Sequence, residues 1–265
     1  MSGDAAIGIF DSGIGGLTVY QQIAALLPAE NLIYLGDTAR CPYGTKSHDV
    51  VTQYACENSD FLAERNIKML VVACNTASAV ALMALQERYT IPVIGVIRPG
   101  ALAAVRSSQN RKIGVIGTEA TIASGAYTKA LRALDPSLEI YTRACPLLVP
   151  LVEEGWVEND VARSTVATYL SSLKQSGIDT LILGCTHYPL LKKTIAVYLG
   201  DHVELIDSAE ETAKVVVETL PDNHRTQSNG PGRGSFFVTD SPDQFIKVGA
   251  RFLGDVVESA VRLER

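Results

Sequence analysis

Two short stretches look like copies of each other, and they constrain the fold more than any other feature of the chain. One is Val71-Val72-Ala73-Cys74-Asn75-Thr76-Ala77 and the other is Leu181-Ile182-Leu183-Gly184-Cys185-Thr186-His187. Each begins as an apolar run short enough for a fully buried strand. Each then passes through a small residue, a cysteine and a hydroxyl residue into a helix-like segment. Both cysteines therefore belong at strand carboxyl ends. Parallel α/β sheets bind ligands outside those ends, so a thiol placed there twice suggests one site approached from two sides.

The rest of the chain keeps the same alternation. A small apolar strand over 5–10 stops at Asp11-Ser12-Gly13-Ile14-Gly15-Gly16, and helical spacing follows up to Pro28. This turn departs from a dinucleotide fingerprint, because position 18, where a third glycine would fall, is Thr18. Asp11 and Ser12 supply a carboxylate and a hydroxyl at the strand tip, with helix-start N–H groups available to an anion; helix capping plus a tight turn is the competing use. A strand over 31–36 leads into the polar loop Asp37-Thr38-Ala39-Arg40-Cys41-Pro42-Tyr43-Gly44, and a helix with Ser47 as N-cap follows.

Arg98-Pro99-Gly100 breaks the pattern and marks a candidate domain boundary. Beyond it the spacing predicts a helix over 101–107, a strand over 112–116, a helix over 121–134 and a strand over 138–142. Pro146 and Pro150 argue against a regular helix over 145–150, which puts Glu153 and Glu154 in or just after a loop. Helices are expected over 161–175 and 188–199, and Asp207-Ser208 forms a second carboxylate–hydroxyl strand tip. Residues 221–234 read as a mobile surface loop. A last strand and helix are expected over 235–239 and 242–253, then a short helix over 256–263. The fold class is α/β.

With 265 residues the chain can bury a core large enough for one domain or two. A net charge of −6, scattered along the chain, gives no basic footprint for nucleic acid or anionic lipid. No segment has the apolar length of a membrane span, and the start of the chain lacks a signal-peptide pattern, so a cytoplasmic location is expected. The 5 cysteines are an odd, widely spaced set without a Cys-x-x-Cys pair, as expected of reduced thiols and not of a metal site. Cys41, Cys56 and Cys145 read as ordinary packed thiols. His48, His202 and His224 read as surface residues.

A thiolate is both base and nucleophile, and its reference pKa of about 8.5 falls beside a helix N-terminus or a cation. Two thiols facing each other across a small carbon acid can invert a stereocentre without a cofactor: one removes a proton and the other donates one to the opposite face. A rival chemistry makes Cys185 a nucleophile for acyl or alkyl transfer with His187 as its base. Buried cysteines at strand ends also serve simply as core residues. A non-catalytic role in amino-acid or partner binding would need only the cleft.

The motifs taken together carry a resemblance. They are Ile9-Phe10-Asp11-Ser12-Gly13-Ile14-Gly15-Gly16-Leu17-Thr18-Val19, Asp37-Thr38-Ala39-Arg40 with Pro42-Tyr43-Gly44, Ala73-Cys74-Asn75-Thr76-Ala77, Pro146-Leu147 with Val149-Pro150-Leu151-Val152-Glu153-Glu154-Gly155, and Gly184-Cys185-Thr186-His187-Tyr188-Pro189. In this order, from the first strand to about Asp207-Ser208, the set closely resembles the glutamate racemases of the cofactor-independent aspartate/glutamate racemase family.

The resemblance implies two similar α/β domains with the site between them, the first completed by the C-terminal segment: 1–98 plus 207–265 on the Cys74 side, and 99–206 on the Cys185 side. It implies interconversion of L- and D-glutamate without pyridoxal phosphate or metal, supplying D-glutamate for peptidoglycan. Cys74 would act on D-glutamate with Asp11 assisting, and Cys185 on L-glutamate with Glu153 and His187 assisting. Ser12, Tyr43, Gly44, Asn75, Thr76 and Thr186 match the family's substrate contacts, with Asp11 and His187 also bordering the substrate. The expected partner is the small-molecule substrate alone, and the expected assembly is a homodimer. The residues by themselves do not choose glutamate over aspartate or a hydantoin.

Overall fold

The computed structural model describes residues 5–226, 230–254 and 257–264. The first part of the chain runs β1 (Ala6–Asp11), α1 (Leu17–Leu26), β2 (Leu32–Gly36), α2 (His48–Ala63), β3 (Ile67–Val72), α3 (Asn75–Val80), α4 (Leu82–Arg88), β4 (Val93–Gly95) and α5 (Ile97–Ser107). It continues β5 (Lys112–Gly117), α6 (Glu119–Ala123), α7 (Ala126–Leu134), β6 (Glu139–Ala144), α8 (Leu148–Glu153), α9 (Asp160–Gln175), β7 (Thr180–Gly184), α10 (Lys192–Leu199) and β8 (Glu204–Asp207). The end is α11 (Ser208–Thr219), β9 (Gly234–Val238), α12 (Pro242–Leu253) and β10 (Val261–Arg262).

Among the described residues the strands form two all-parallel sheets, ordered β10–β9–β2–β1–β3–β4 and β6–β5–β7–β8. Helices cover both faces, which is why β1, β3 and β7 are buried along their whole lengths and read as unbroken apolar runs. The order 2–1–3–4 of the first four strands is repeated as 6–5–7–8 in the second sheet. In both, the chain leaves the first strand towards one edge and returns to the other side, so a topological switch point falls between β1 and β3 and again between β5 and β7. Cys74 follows β3 and Cys185 follows β7. The doubled sequence context is thus a doubled position in a repeated topology.

A single apolar cluster runs through both units, joining Ile7, Leu17 and Tyr34 to Leu183, Tyr188 and Val216. α11 buries Ala209, Ala213 and Val216 in it. Covering a valine side chain of this kind contributes roughly 1.5–3 kcal/mol. No helix among the described residues is long and apolar enough to cross a membrane.

Several local expectations are corrected. Arg98-Pro99-Gly100 does not interrupt the chain but lies in the first turn of α5. Pro150 likewise sits in the first turn of α8, so Cys145–Pro150 leads into a short helix that ends on Glu153. First-turn N–H groups have no intrahelical partner to lose, which makes proline tolerable there. The helix expected over 121–134 is broken at Ser124-Gly125, and the one over 188–199 opens with a 3-10 turn at Tyr188–Leu191.

The chain end is not a helix where it is described. Val261–Arg262 adds an edge strand to β9, and the Leu263 N–H donates to the Val238 carbonyl at 2.8 Å. Unpaired backbone groups on a sheet edge are a strong template for such pairing. Residue 256, the first of that expected helix, lies outside the described residues. In the expected mobile loop, Asp222–His224 forms a 3-10 turn, Thr226 donates from N and Oγ1 to Glu30 at 2.8 Å, and the Gly232 N–H reaches the Pro28 carbonyl at 2.8 Å. Residues 227–229 of that loop lie outside the described residues.

Candidate active site

The carboxyl ends of the two sheets meet across a narrow cleft whose cavity volume is about 30 Å³. Its walls include Ser12, Tyr43, Gly44, Cys74, Asn75 and Thr76 from the first sheet's loops and Thr118, Cys185, Thr186 and His187 from the second's. Both cysteines are free thiols, 5 % and 6 % exposed. Cys74 is the N-cap of α3, where its sulfur accepts from the Ala77 N–H at 3.5 Å. Cys185 lies 3.9 Å, sulfur to Nδ1, from His187, whose Nε2 lies 3.0 Å from the Glu153 carboxylate. Sequence neighbours two apart are thus brought side by side, because the chain turns sharply after β7.

Asp11 is fully buried at the tip of β1. It does not cap α1; its Oδ2 accepts the Gly13 N–H at 2.9 Å and its Oδ1 accepts the Thr186 hydroxyl at 3.4 Å. The helix start is not the anion site that the sequence allowed, since the Leu17 and Thr18 N–H groups close the turn onto Ile14 and Gly15 carbonyls. Thr18 reaches across the cleft instead, donating from Oγ1 to the Thr186 carbonyl at 3.0 Å. The glycines of the turn serve close approach: a Cβ on Gly15 would stand 2.3 Å from Thr186 Oγ1 and 2.4 Å from His187 Nδ1.

Electrostatics differ on the two sides. Burial pushes the Cys74 thiol up to about 12, and the Asp11 carboxylate adds to that while the Ala77 N–H opposes it. Burial also lifts Asp11 above the ordinary carboxylate range, against the pull of His187 and of backbone N–H groups. His187 behaves oppositely. Burial would lower it, but hydrogen bonds to Cys185 and Glu153 and their charges raise it to about 10. Near neutral pH the arrangement therefore presents a protonated thiol on one side. On the other it presents an imidazolium next to a sulfur.

The 37–44 loop is fixed by the fully buried Asp37, which accepts from Arg40 Nε at 2.7 Å, from Thr239 Oγ1 at 2.9 Å and from the Tyr43 hydroxyl. Tyr43 was expected as a substrate contact. Its hydroxyl is committed to Asp37, so its part in the wall comes from ring and backbone beside Gly44. Asn75 and Thr76 are buried at the start of α3, and the hydroxyls of Thr76, Thr118 and Thr121 lie 2.9–3.1 Å from one another.

Thr118 and Thr121 were missed in the sequence. Their signal is the repeat itself: Thr118 follows the first strand of the second sheet as Ser12 follows that of the first. Cys41, read as an ordinary thiol, also lines the cleft. Asp207, the other carboxylate strand tip, caps α11 through the Ala209 N–H at 2.9 Å and pairs with Lys192 at 3.0 Å, outside the cleft wall. No group of three or more His, Cys, Asp or Glu side chains among the described residues is set to hold a metal ion.

Comparison with known proteins gives a consistent picture. The family model for Asp/Glu/hydantoin racemases matches residues 7–216. A glutamate racemase of Geobacter metallireducens is 55 % identical over 265 residues, 98 % of each chain. Among solved structures, the glutamate racemase isoform RacE1 of Bacillus anthracis superposes with a TM-score of 0.93 at 44 % identity, covering 98 % of this chain and 97 % of that one. The glutamate racemase of Francisella tularensis, solved with D-glutamate, gives 0.92 at 38 % identity, covering 99 % and 98 %.

Proposed function

Since the chain belongs to the Asp/Glu/hydantoin racemase family, we propose that it interconverts L- and D-glutamate by proton transfer between two thiols. The observation that carries this reading is the placement of Cys74 and Cys185 at equivalent strand ends of two sheets, both opening on one cleft. Relatives sharing 55 % and 44 % of its residues are named glutamate racemases, which favours glutamate over other acidic amino acids.

In the L-to-D direction the Cys185 thiolate removes the Cα proton, and the Cα–H electron pair delocalises into the α-carboxylate. Cys74 then donates its S–H proton to the opposite face of Cα. Cys185 ends as thiol and Cys74 as thiolate, and the reverse reaction starts from that state. His187, held by Glu153, stabilises charge at Cys185; Asp11, whose charge raises the Cys74 thiol, keeps that sulfur protonated until it donates to Cα. Ser12, Gly44, Asn75, Thr76, Thr118 and Thr186 supply hydroxyl, amide and backbone groups for the two carboxylates, and such donors also stabilise the charge developing on the substrate.

We further propose the domain division 1–98 plus 207–265 and 99–206; the two sheets support it, apart from Asp207, which ends a strand of the second sheet. Two reactive thiols suit a reducing cytoplasm, and D-glutamate is a component of peptidoglycan. Exposed Leu147, Trp156 and Val161 on one face support a homodimer.

The test follows optical rotation of L-glutamate, and separately L-aspartate, with enzyme dialysed against chelator in deuterated water. Glutamate is expected to racemise with deuterium at Cα, and Cys74→Ser and Cys185→Ser are each expected to abolish turnover with the fold intact. Turnover restored only by pyridoxal phosphate or a divalent metal, or a serine variant with near-normal rate, would refute the two-thiol mechanism.

A further inference from the structure

Tyr127, on α7, has no part in the chemistry above, yet it touches the neighbours of both thiols. It is 2 % exposed, and its hydroxyl donates to Asn75 Oδ1 at 2.7 Å. Asn75 follows Cys74 directly, lines the cleft and is 2 % exposed. Its Nδ2 is a buried side-chain nitrogen without a hydrogen-bond partner among the described residues. A carboxamide is a donor at one end and an acceptor at the other, and a phenol donating to the oxygen decides which end is left over. Here the remaining end is the NH₂ group, the polarity that a carboxylate requires.

The other side of the ring packs against the second thiol's strand. A Cβ on Gly184, the residue before Cys185, would stand 3.0 Å from Tyr127 Cε2 and 2.5 Å from the Ile116 carbonyl oxygen. The Ile116 carbonyl is what keeps position 184 free of a side chain, and the Tyr127 ring packs closely over that glycine, so Tyr127 spans from the strand end carrying Cys185 to the helix start carrying Cys74.

We infer that Tyr127 is a positioning residue for racemisation: its hydroxyl holds the Asn75 amide with the NH₂ group turned to a substrate carboxylate, and its ring ties that donor to the strand end of Cys185. This rests on the racemase reading. Without the hydroxyl, the amide is free to turn its oxygen towards the carboxylate, and binding weakens for both enantiomers, since a carboxylate is common to both. Proton transfer itself, which belongs to the thiols, is affected less.

The experiment compares Tyr127→Phe with wild type in two backgrounds, native Asn75 and Asn75→Ala, by steady-state kinetics for D- and L-glutamate and by calorimetric titration with D-glutamate. With native Asn75, KM and Kd are expected to rise about fivefold, with kcat within about twofold. In the Asn75→Ala background the same change at Tyr127 is expected to move KM by less than about twofold, because the two residues act as one unit. An equal shift in both backgrounds, an unchanged KM, or a loss confined to kcat would overturn the inference.

Wild type that binds glutamate without turning it over would refute the racemase reading alone, and the Kd comparison would still decide the role of Tyr127. Should Tyr127→Phe not fold, Asn75→Asp keeps the acceptor for Tyr127 but places a carboxylate oxygen where the NH₂ group was. It is expected to weaken glutamate binding by about a hundredfold or more with melting temperature preserved, and retained affinity would overturn the inference.

Discussion

At the scale of single residues the unequal partners of the two sulfurs matter most. Cys74 faces a buried carboxylate, whereas Cys185 faces a histidine that is itself held by Glu153. His187 keeps its proton to about 10 in the folded protein against an ordinary value of 6.5. Its protonated form therefore contributes stability that is fully present below pH 6.5 and is lost as pH rises towards 10. Cys74, whose thiol is also raised, affects stability only above its ordinary value of 9.0. Urea unfolding between pH 6.5 and 9 thus isolates the histidine. Wild type is expected to lose about 1–3 kcal/mol over that range and His187→Asn much less. Parallel pH dependence in the two proteins would show that His187 is not protonated in the native state.

At the scale of elements, the glycine turn before α1 acts as a spacer against the loop after β7. Gly15 approaches Thr186 and His187 too closely for any side chain, and Thr18, one turn on, binds the Thr186 carbonyl. Gly15→Ala is expected to destabilise by about 1–3 kcal/mol and to lower kcat at least about tenfold, because the displaced atoms belong to the loop that carries Cys185. Denaturation midpoints and initial rates check this, and an alanine variant with native kcat and stability would remove the spacer role. The proline-containing helices α5 and α8 were misread for a related reason. Composition signals a break but does not say whether the proline falls inside a first turn, and only the placement of the helix start settles that.

At the scale of the whole molecule, the chemistry sits at one end of the sheets and a second buried polar group at the other. Lys68, near the amino end of β3, pairs with Glu30 at 2.5 Å with both side chains almost fully buried, and its Nζ also donates to the His224 carbonyl at 2.9 Å. The pair fastens the segment after α11 beneath the first sheet. Lys68→Met leaves a buried carboxylate uncompensated and is expected to cost about 3–5 kcal/mol, with KM for glutamate unchanged; adding Glu30→Gln is expected to recover most of the loss. Thermal or urea unfolding of the single and double variants tests this, and a single variant as stable as wild type would show that the pair does not hold the segment.

The amino-acid sequence by itself determined the α/β alternation, the two strand-end thiols and the carboxylate, imidazole and hydroxyl residues that accompany them. These are local signals: a short apolar run, a helix start and a motif can each be read within a dozen residues. Tertiary structure decided the rest. That Asp11 meets Thr186, that Thr118 and Thr121 stand beside Thr76, and that Cys41 borders the cleft follow from two sheets turning their carboxyl ends towards each other. Tyr127 had no signal of its own in an ordinary amphipathic helix, and neither had Lys68, a single charge in the apolar strand β3. Their roles depend on partners 52 and 38 residues away in the chain (127 − 75 and 68 − 30). Such pairings arise from packing, because a buried donor or charge takes its partner from whichever element the fold lays against it.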